Sequence, residues 1–162
     1  MLGEKRFLRS ITVKNMLSFG AETPELPLLP LNVLIGPNGS GKSNLIEAIS
    51  LLHAAPVNLV EPILMGGGIG EWLWKGSEPA PDAQIEIVVE YPQGRMALRH
   101  KLLLGMVGQR AELRDEAIEN EGPQSDNDSD VYFYYRYQQG RPVLNLAGGV
   151  QGRRELRRED LP

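Results

Sequence analysis

One short glycine-rich stretch constrains the fold of this 162-residue chain more than any other feature. Residues 36–43 read GPNGSGKS and fit the pattern G-x-x-x-x-G-K-[ST] without a mismatch. A nearly all-apolar run at 31–35 precedes them, and apolar residues at helical spacing follow them. The sequence therefore predicts a strand buried on both faces, then a phosphate-binding loop, then a helix that ends before Pro56.

Each position of this loop has a physical role in holding phosphate. Its three glycines allow a positive φ, so that successive N–H groups point into one concavity. The helix that begins here adds the partial positive charge of its N-terminus. Lys42 supplies a full charge to the β- and γ-phosphates, and the Ser43 hydroxyl is expected to ligate Mg²⁺. The predicted phosphate-binding residues are Gly36, Pro37, Asn38, Gly39, Ser40, Gly41, Lys42, Ser43 and Asn44.

The segments on either side of this unit have weaker patterns. Residues 6–15 alternate as a half-buried strand does, and three prolines leave room only for a short strand near 26–29. Residues 57–81 have no clear period. Within them, residues 65–70 read MGGGIG and are expected to form a loop.

The second half of the chain changes to period two, which predicts an antiparallel meander. The expected strands are 84–91, 95–104, 111–120, 131–138 and 141–147. The pattern of 111–120 also fits a helix, and the neighbouring hairpin favours the strand. Together these elements predict an α/β fold with α+β character. Its parts are 1–55 (strands, loop and helix), 56–81 (loop region), 82–150 (meander) and 151–162 (the start of a helix).

Composition narrows the class of protein. Cysteine is absent, which excludes disulfides and thiolate metal sites and fits a reducing compartment. No run approaches the roughly 20 apolar residues that cross a bilayer, and the first residues lack the apolar segment of a secretory signal. We therefore expect a cytoplasmic protein without a membrane partner.

The net charge of −4 argues against a basic nucleic-acid footprint over the whole domain. Four arginines near the end would form one basic face if 151–162 is helical: Arg153, Arg154, Arg157 and Arg158. This face could contact a phosphate backbone. The acidic residues between these arginines favour an ordinary salt-bridged helix instead.

Other candidate sites have weaker support. Asp126, Asp128 and Asp130 have the opening spacing of a calcium loop, but Val131 stands where glycine is needed and Tyr137 where the bidentate Glu is needed. We therefore expect a solvated loop there. His53 and His100 lie in no ligand pattern. The aromatic residues of 132–137 could stack on bases, but cross-strand packing is the more common role of such a strand.

Residues 6–20 (RFLRSITVKNMLSFG) and 36–49 (GPNGSGKSNLIEAI) closely resemble the RecF/SMC-like branch of ABC-type ATPases. The meander resembles the antiparallel subsheet of that family's first lobe. The resemblance is specific from residue 7 to residue 52. It implies a P-loop NTPase fold, ATP with Mg²⁺ as ligand, and a homodimer of heads that sandwich ATP. DNA is an implied partner, in repair, recombination or phage defence.

The family's turn after the first strand contains two further candidate residues. Asn15 and Ser18 match it, and the resemblance places them on the adenosine side of the site. Leu17 stands where the family usually has Lys or Arg, and Met16 where it has an aromatic residue. A family glutamine that bridges Mg²⁺ and the attacking water has three possible matches, between which the sequence does not choose: Gln138, Gln139 and Gln151.

Three catalytic features of such ATPases are not found after the loop: the signature motif, an apolar strand that ends in Asp-Glu, and a switch histidine. The nearest imitation, IEIVVEY at 85–91, lacks the Asp. No catalytic residue is therefore identified. The resemblance implies that 1–162 is a single incomplete lobe, which hydrolyses ATP to ADP and phosphate only with a second lobe and a dimer partner. The alternatives are a nucleotide sensor without hydrolysis and a P-loop kinase or GTPase, although no Asn-Lys-x-Asp guanine reader occurs.

Overall fold

The computed structural model describes residues 7–92, 94, 96–123, 130–138, 140–145 and 153–155. These described residues form one antiparallel sheet and three helices. The strands are β1 (Leu8–Lys14), β2 (Leu26–Pro27), β3 (Ala83–Val89), β4 (Leu98–Val107), β5 (Arg110–Asn120), β6 (Phe133–Gln138), β7 (Arg141–Asn145) and β8 (Arg153–Glu155). The helices are α1 (Lys42–Ala54), α2 (Val60–Met65) and α3 (Ile69–Trp72).

The sheet has the strand order β2-β1-β3-β4-β5-β6-β7-β8, and each neighbouring pair is antiparallel. From β3 onward every strand pairs with the next one in the chain. This meander was predicted from the period-two pattern, and β5 resolves the ambiguity at 111–120 in favour of a strand. The helix predicted after Lys42 is also confirmed as α1.

The register of the sheet builds one apolar face. Val13 pairs with Ile85, and Ile85 pairs with Leu102 on the next strand, so the three side chains project from the same face. All three are buried. Helix α1 completes this core with four buried side chains: Leu45, Ala48, Leu51 and Leu52. Burial of this face fixes the position of α1 and therefore of the loop before it.

Three predictions about local structure were wrong. Residues 31–35 form no strand, and their large apolar side chains are exposed. Residues 65–70 are not a continuous loop, because Met65 ends α2 and Ile69 begins α3. The helix predicted for 151–162 is contradicted at Arg153–Glu155, which pair with β7 as strand β8. Two of its four arginines therefore lie in a strand, and Arg157 and Arg158 lie outside the described residues.

The exposed run at 31–35 has a clear physical cause. A strand needs a neighbour for its N–H and C=O groups, and the sheet described here gives this segment none. The Asn32 side chain instead accepts a hydrogen bond from Leu29 N at 2.9 Å and donates one to Leu29 O at 2.7 Å. Leu31 and Ile35 remain 80% and 90% exposed. The prediction that these residues are buried was therefore wrong, because the described sheet offers them no neighbouring strand.

No helix within the described residues is long and apolar enough to cross a membrane.

Candidate nucleotide site

The phosphate loop meets helix α1 at Gly41, whose φ of 88° places it in the left-handed region. Leu45 N donates the first helical hydrogen bond, at 3.0 Å, to Gly41 O. No side chain caps α1, and its first turn carries no acidic residue. The positive end of the helix is therefore not neutralised by a carboxylate of its own first turn, and an anion is favoured there.

The glycines of the loop serve two different purposes. Gly39, with a φ of 81°, and Gly41 both need the left-handed conformation, as predicted. Gly36 does not adopt a positive φ, so that part of the prediction was wrong. A Cβ on Gly36 would lie only 2.8 Å from the Ser40 Oγ. Glycine at position 36 therefore allows the two sides of the loop to approach each other.

The side chain of Lys42 links three residues of the loop through hydrogen bonds. Its Nζ donates hydrogen bonds of 2.8 Å to Gly36 O, 2.7 Å to Pro37 O and 3.2 Å to Ser40 Oγ. Pro37 O also accepts a 3.3 Å bond from Ser40 N. All three donors of the ammonium group therefore point toward the loop, which places a full positive charge at its centre. A phosphate that enters this loop meets a fixed cation.

The remaining loop residues differ in exposure. Pro37, Asn38 and Ser43 are exposed, and Asn44 is half-buried. Because Ser43 lies in the first turn of α1 with its side chain accessible, its hydroxyl fits the role of one Mg²⁺ ligand beside a bound nucleotide. The described part of the chain contains no group of three His, Cys, Asp or Glu side chains that could hold a metal ion.

The turn at 15–20 brings Ser18 to the phosphate loop. A Cβ on Gly41 would lie 2.9 Å from Ser18 Oγ, so the two residues are in direct contact. Asn15 is held elsewhere, because its Nδ2 donates a 3.2 Å bond to Asp82 O. Its Oδ1 is buried without a hydrogen-bond partner in the described structure. Of the two residues that the resemblance placed on the adenosine side, Ser18 is thus beside the loop and Asn15 braces the turn.

The same turn is joined to a segment whose importance the sequence did not reveal. Leu17 N donates a 2.7 Å hydrogen bond to Trp72 O, and Trp74 N donates a 2.9 Å bond to Asn15 O. Met16, fully buried, forms a bridge with Leu73 between them. The two tryptophans in EWLWKG were the available signal, because such large side chains are rarely left unpacked.

The other candidates either lie in the sheet or in the last turn of α1, or fall outside the described residues. Gln138 ends β6, and Gln139 and Gln151 lie outside the described residues, as do Asp126 and Asp128. His100 Nε2 lies 2.9 Å from the Glu116 carboxylate, within the sheet, and His53 is exposed in the last turn of α1. Neither histidine forms a metal-binding group with its neighbours in the described structure.

Comparisons with known proteins agree with this geometry. The family described as "AAA domain, putative AbiEii toxin, Type IV TA system" matches residues 31–140. The chain is 31% identical over 93 residues to "Chromosome partition protein Smc" of Mycobacterium tuberculosis (strain ATCC 25618 / H37Rv). That match covers 57% of this chain and 8% of the relative's length.

A solved structure is similar in fold. It is described as "Structural biochemistry of ATP-driven dimerization and DNA stimulated activation of SMC ATPases" and superposes with a TM-score of 0.53 at 19% identity. The match covers 72% of this chain and 70% of that one. Likeness at this level of identity concerns the fold.

A glycine-rich loop ahead of a helix that packs on an antiparallel sheet gives this chain a fold similar to that of the solved SMC ATPase structure. The predicted fold class is therefore confirmed. Because the family match spans well over half of the chain, the protein belongs to the AAA domain family of the putative AbiEii toxin type.

Proposed function

We propose that this chain is the nucleotide-binding lobe of an SMC-like ATPase. It binds Mg²⁺-ATP through residues 36–44 and takes part in hydrolysis to ADP and phosphate only together with a second lobe and a dimer partner. The observation that carries the proposal is the position of Lys42, whose ammonium group lies inside a closed glycine loop at the N-terminus of α1. Such a loop offers phosphate a fixed charge, free N–H groups and the helix dipole at one point.

The way these residues would bind the nucleotide follows from their positions. Phosphate oxygens accept hydrogen bonds from the N–H groups around Gly39 and Gly41, and Lys42 provides the charge for the β- and γ-phosphates. Mg²⁺, held by the Ser43 hydroxyl and the phosphates, would neutralise charge that develops on them. Ser18, in contact with Gly41, is the nearest residue of the turn that we propose for the adenosine side, with Asn15 bracing that turn.

A second observation supports the need for a further lobe. Besides residues 31–35, helix α1 exposes Ile46, which lies on the side opposite its buried face and is 58% exposed, and Ile49, at the edge of that face. Apolar residues on both sides of a helix indicate a helix that is covered on both sides in its working state. We propose that the second lobe adds strands beside 31–35 and covers this face of α1.

The chemical argument explains why the lobe alone is not expected to turn over ATP. Lys42 and the loop stabilise the bound phosphate almost equally in the ground state and the transition state, which does not lower the barrier of the chemical step. A carboxylate or glutamine that orients water, and a surface that closes over the γ-phosphate, must raise the rate. Of the three candidate glutamines, Gln138 is exposed at the end of β6.

The test is phosphate release from the pure chain and from the chain mixed with a well-folded second lobe, supplied in trans. We expect background release from the first and turnover from the second. Turnover by the chain alone that disappears in Lys42→Ala would show a catalytic group within these 162 residues. A folded, associated second lobe that restores no turnover would favour the alternative, a nucleotide sensor without hydrolysis.

Base preference separates the ATPase from a GTPase. Without an Asn-Lys-x-Asp carboxylate to bond the guanine base, we expect ATP to bind modestly more tightly than GTP. Competition binding in which GTP is tighter by about tenfold, or 1.4 kcal/mol, would support the GTPase reading. A phosphorylated acceptor instead of free phosphate would indicate a kinase.

The comparisons also suggest a proposal for the cellular role of the protein. The relatives of this chain include a chromosome partition protein, and the similar solved structure concerns SMC ATPases with ATP-driven dimerization and DNA-stimulated activation. We propose a homodimer of heads, with DNA as a partner and repair, recombination or phage defence in the cytoplasm as the setting. The match covers 8% of the length of the Smc relative, so we propose these properties for a complete protein that contains this lobe.

A further inference from the structure

The turn at 15–20 touches two parts of the molecule that are distant in sequence. On one side, Ser18 Oγ contacts Gly41, the residue from which α1 begins. On the other side, Leu17 N donates a 2.7 Å hydrogen bond to Trp72 O. The turn therefore connects the phosphate loop to the segment that follows α2.

The backbone of this turn is strained. Asn15 has a φ of 54° and Leu17 a φ of 52°. Asparagine tolerates the left-handed region, but leucine rarely adopts it, because its Cβ approaches the following carbonyl oxygen. Such conformations persist only where surrounding contacts hold them, and they are concentrated at ligand clamps and switch regions. Here the buried Met16–Leu73 bridge and the bonds to residues 72 and 74 hold the turn.

At the other end of this connection, the side chain of Trp72 packs against Gly66. The Trp72 side chain is buried, and a Cβ on Gly66 would lie 2.6 Å from its Nε1. That Nε1 has no hydrogen-bond partner in the described structure. Gly67 and Gly68 follow with φ values of 94° and 91°. Because Gly66 follows the last residue of α2, a displaced indole moves the end of a helix that exposes Leu64 and Met65.

We infer that the 15–20 turn couples nucleotide binding at the phosphate loop to the position of Trp72 and residues 66–68, an inference that rests on the function proposed above. Phosphate oxygens that bond the N–H groups at the start of α1 displace Gly41 by a small distance. Ser18, in contact with it, transmits that displacement to Leu17, and the 2.7 Å bond transmits it to Trp72. A strained turn that is held at both ends transmits such a displacement, because it has little conformational freedom with which to absorb it.

Two tryptophans give a direct readout, since the chain contains only Trp72 and Trp74. In the Trp74→Phe variant, Trp72 is the sole tryptophan. We expect its emission to shift on addition of Mg²⁺-ATP, with the concentration dependence of binding measured separately by calorimetry. The control carries Tyr137→Trp in a chain with Trp72→Phe and Trp74→Phe. It places the reporter on β6, and its emission should not respond.

The role of the turn is tested with Leu17→Gly in the Trp74→Phe background. Glycine adopts a φ of 52° without strain, so the turn becomes more flexible. The shift in Trp72 emission at saturating nucleotide should therefore fall by about half or more. Because both chains are compared at saturating nucleotide, a difference in affinity does not alter the size of the emission shift. A full-size shift in a folded Leu17→Gly chain would overturn the inference.

Hydrogen exchange of the chain without substitutions supplies a measurement that needs no variant. The amides of Leu17 and Trp74 donate across the connection, and at saturating Mg²⁺-ATP their exchange rates should change by about twofold or more. Amides within β6 should keep their rates. Binding by calorimetry without a Trp72 shift and without these changes would refute the coupling while leaving the proposed function intact. Absence of binding would refute both.

Discussion

The ammonium group of Lys42 lies 2.7 Å from the carbonyl oxygen of Pro37 and donates a hydrogen bond to it. This one side chain therefore closes the phosphate loop and also carries its positive charge. Since a second bond of 2.8 Å reaches Gly36 O, the two carbonyls at the entry of the loop are held by the same group. Removal of Lys42 should thus affect both the shape of the loop and its attraction for phosphate.

Lys42→Ala should weaken Mg²⁺-ATP binding by about 1.5–3 kcal/mol, the usual contribution of a hydrogen bond to a charged group. Isothermal titration calorimetry measures the difference. Lys75→Ala is the matched control, because Lys75 pairs with Glu71 on an exposed surface (N–O distance 2.6 Å). Its affinity should equal that of the unsubstituted chain. Equal affinities for the Lys42 variant and the unsubstituted chain would contradict the assignment of the loop.

Gly66→Ala should destabilise the fold by about 1–3 kcal/mol, the usual cost of overpacking, because its Cβ would meet the buried indole of Trp72. The matched control is Gly70→Ala in α3, where a Cβ has open space and φ is not positive. That change should be neutral or stabilising by up to about 1 kcal/mol. Urea unfolding of both variants is the measurement, and a similar loss of stability in both would contradict the close packing at Gly66.

The two sides of α1 should respond differently to truncation. Leu51→Ala removes a fully buried side chain from the core and should cost about 2–5 kcal/mol of unfolding free energy. Ile46→Ala, on the exposed side, should change it by no more than about 0.5 kcal/mol. Denaturant unfolding compares them. If Ile46→Ala proved as costly as Leu51→Ala, this face of α1 would already be covered in the isolated chain.

Tyr135 gives a pH dependence of stability with a defined direction. Burial, and then the charge of Glu116 and its hydrogen bond, raise the pKa of Tyr135 from 10.0 to about 12. The folded state therefore keeps the phenol neutral at a pH where the unfolded chain has lost the proton. This contribution is complete below pH 10 and is lost as the pH rises toward about 12.

The Tyr135→Phe variant should accordingly lose less stability than the unsubstituted chain between pH 10 and about 12. Urea unfolding across this range measures the difference between the two chains, so that other groups titrating there cancel. Glu116→Gln, which removes the neighbouring charge, should bring the tyrosinate absorbance of Tyr135 to lower pH. Parallel pH curves for Tyr135→Phe and the unsubstituted chain would contradict the raised pKa.

Much of the fold could be predicted because its signals are local. Alternation in β3 and β4, and helical spacing after Lys42, depend on residues within a few positions of one another. The sequence pattern was misleading for Gly36, because it predicted a positive φ that this residue does not adopt. Its close approach to Ser40 is set by how the loop closes, which the pattern does not encode.

The sequence by itself determined the helix that follows the glycine-rich loop and the antiparallel order of the meander, because spacing and backbone preference act over short distances. Only the tertiary structure decided that residues 31–35 lie exposed and that Ser18 rests against Gly41. It also decided that the turn is tied to Trp72. These relations depend on which segments meet across long stretches of chain, and whether an apolar strand is buried depends on a neighbouring strand that its own residues cannot supply.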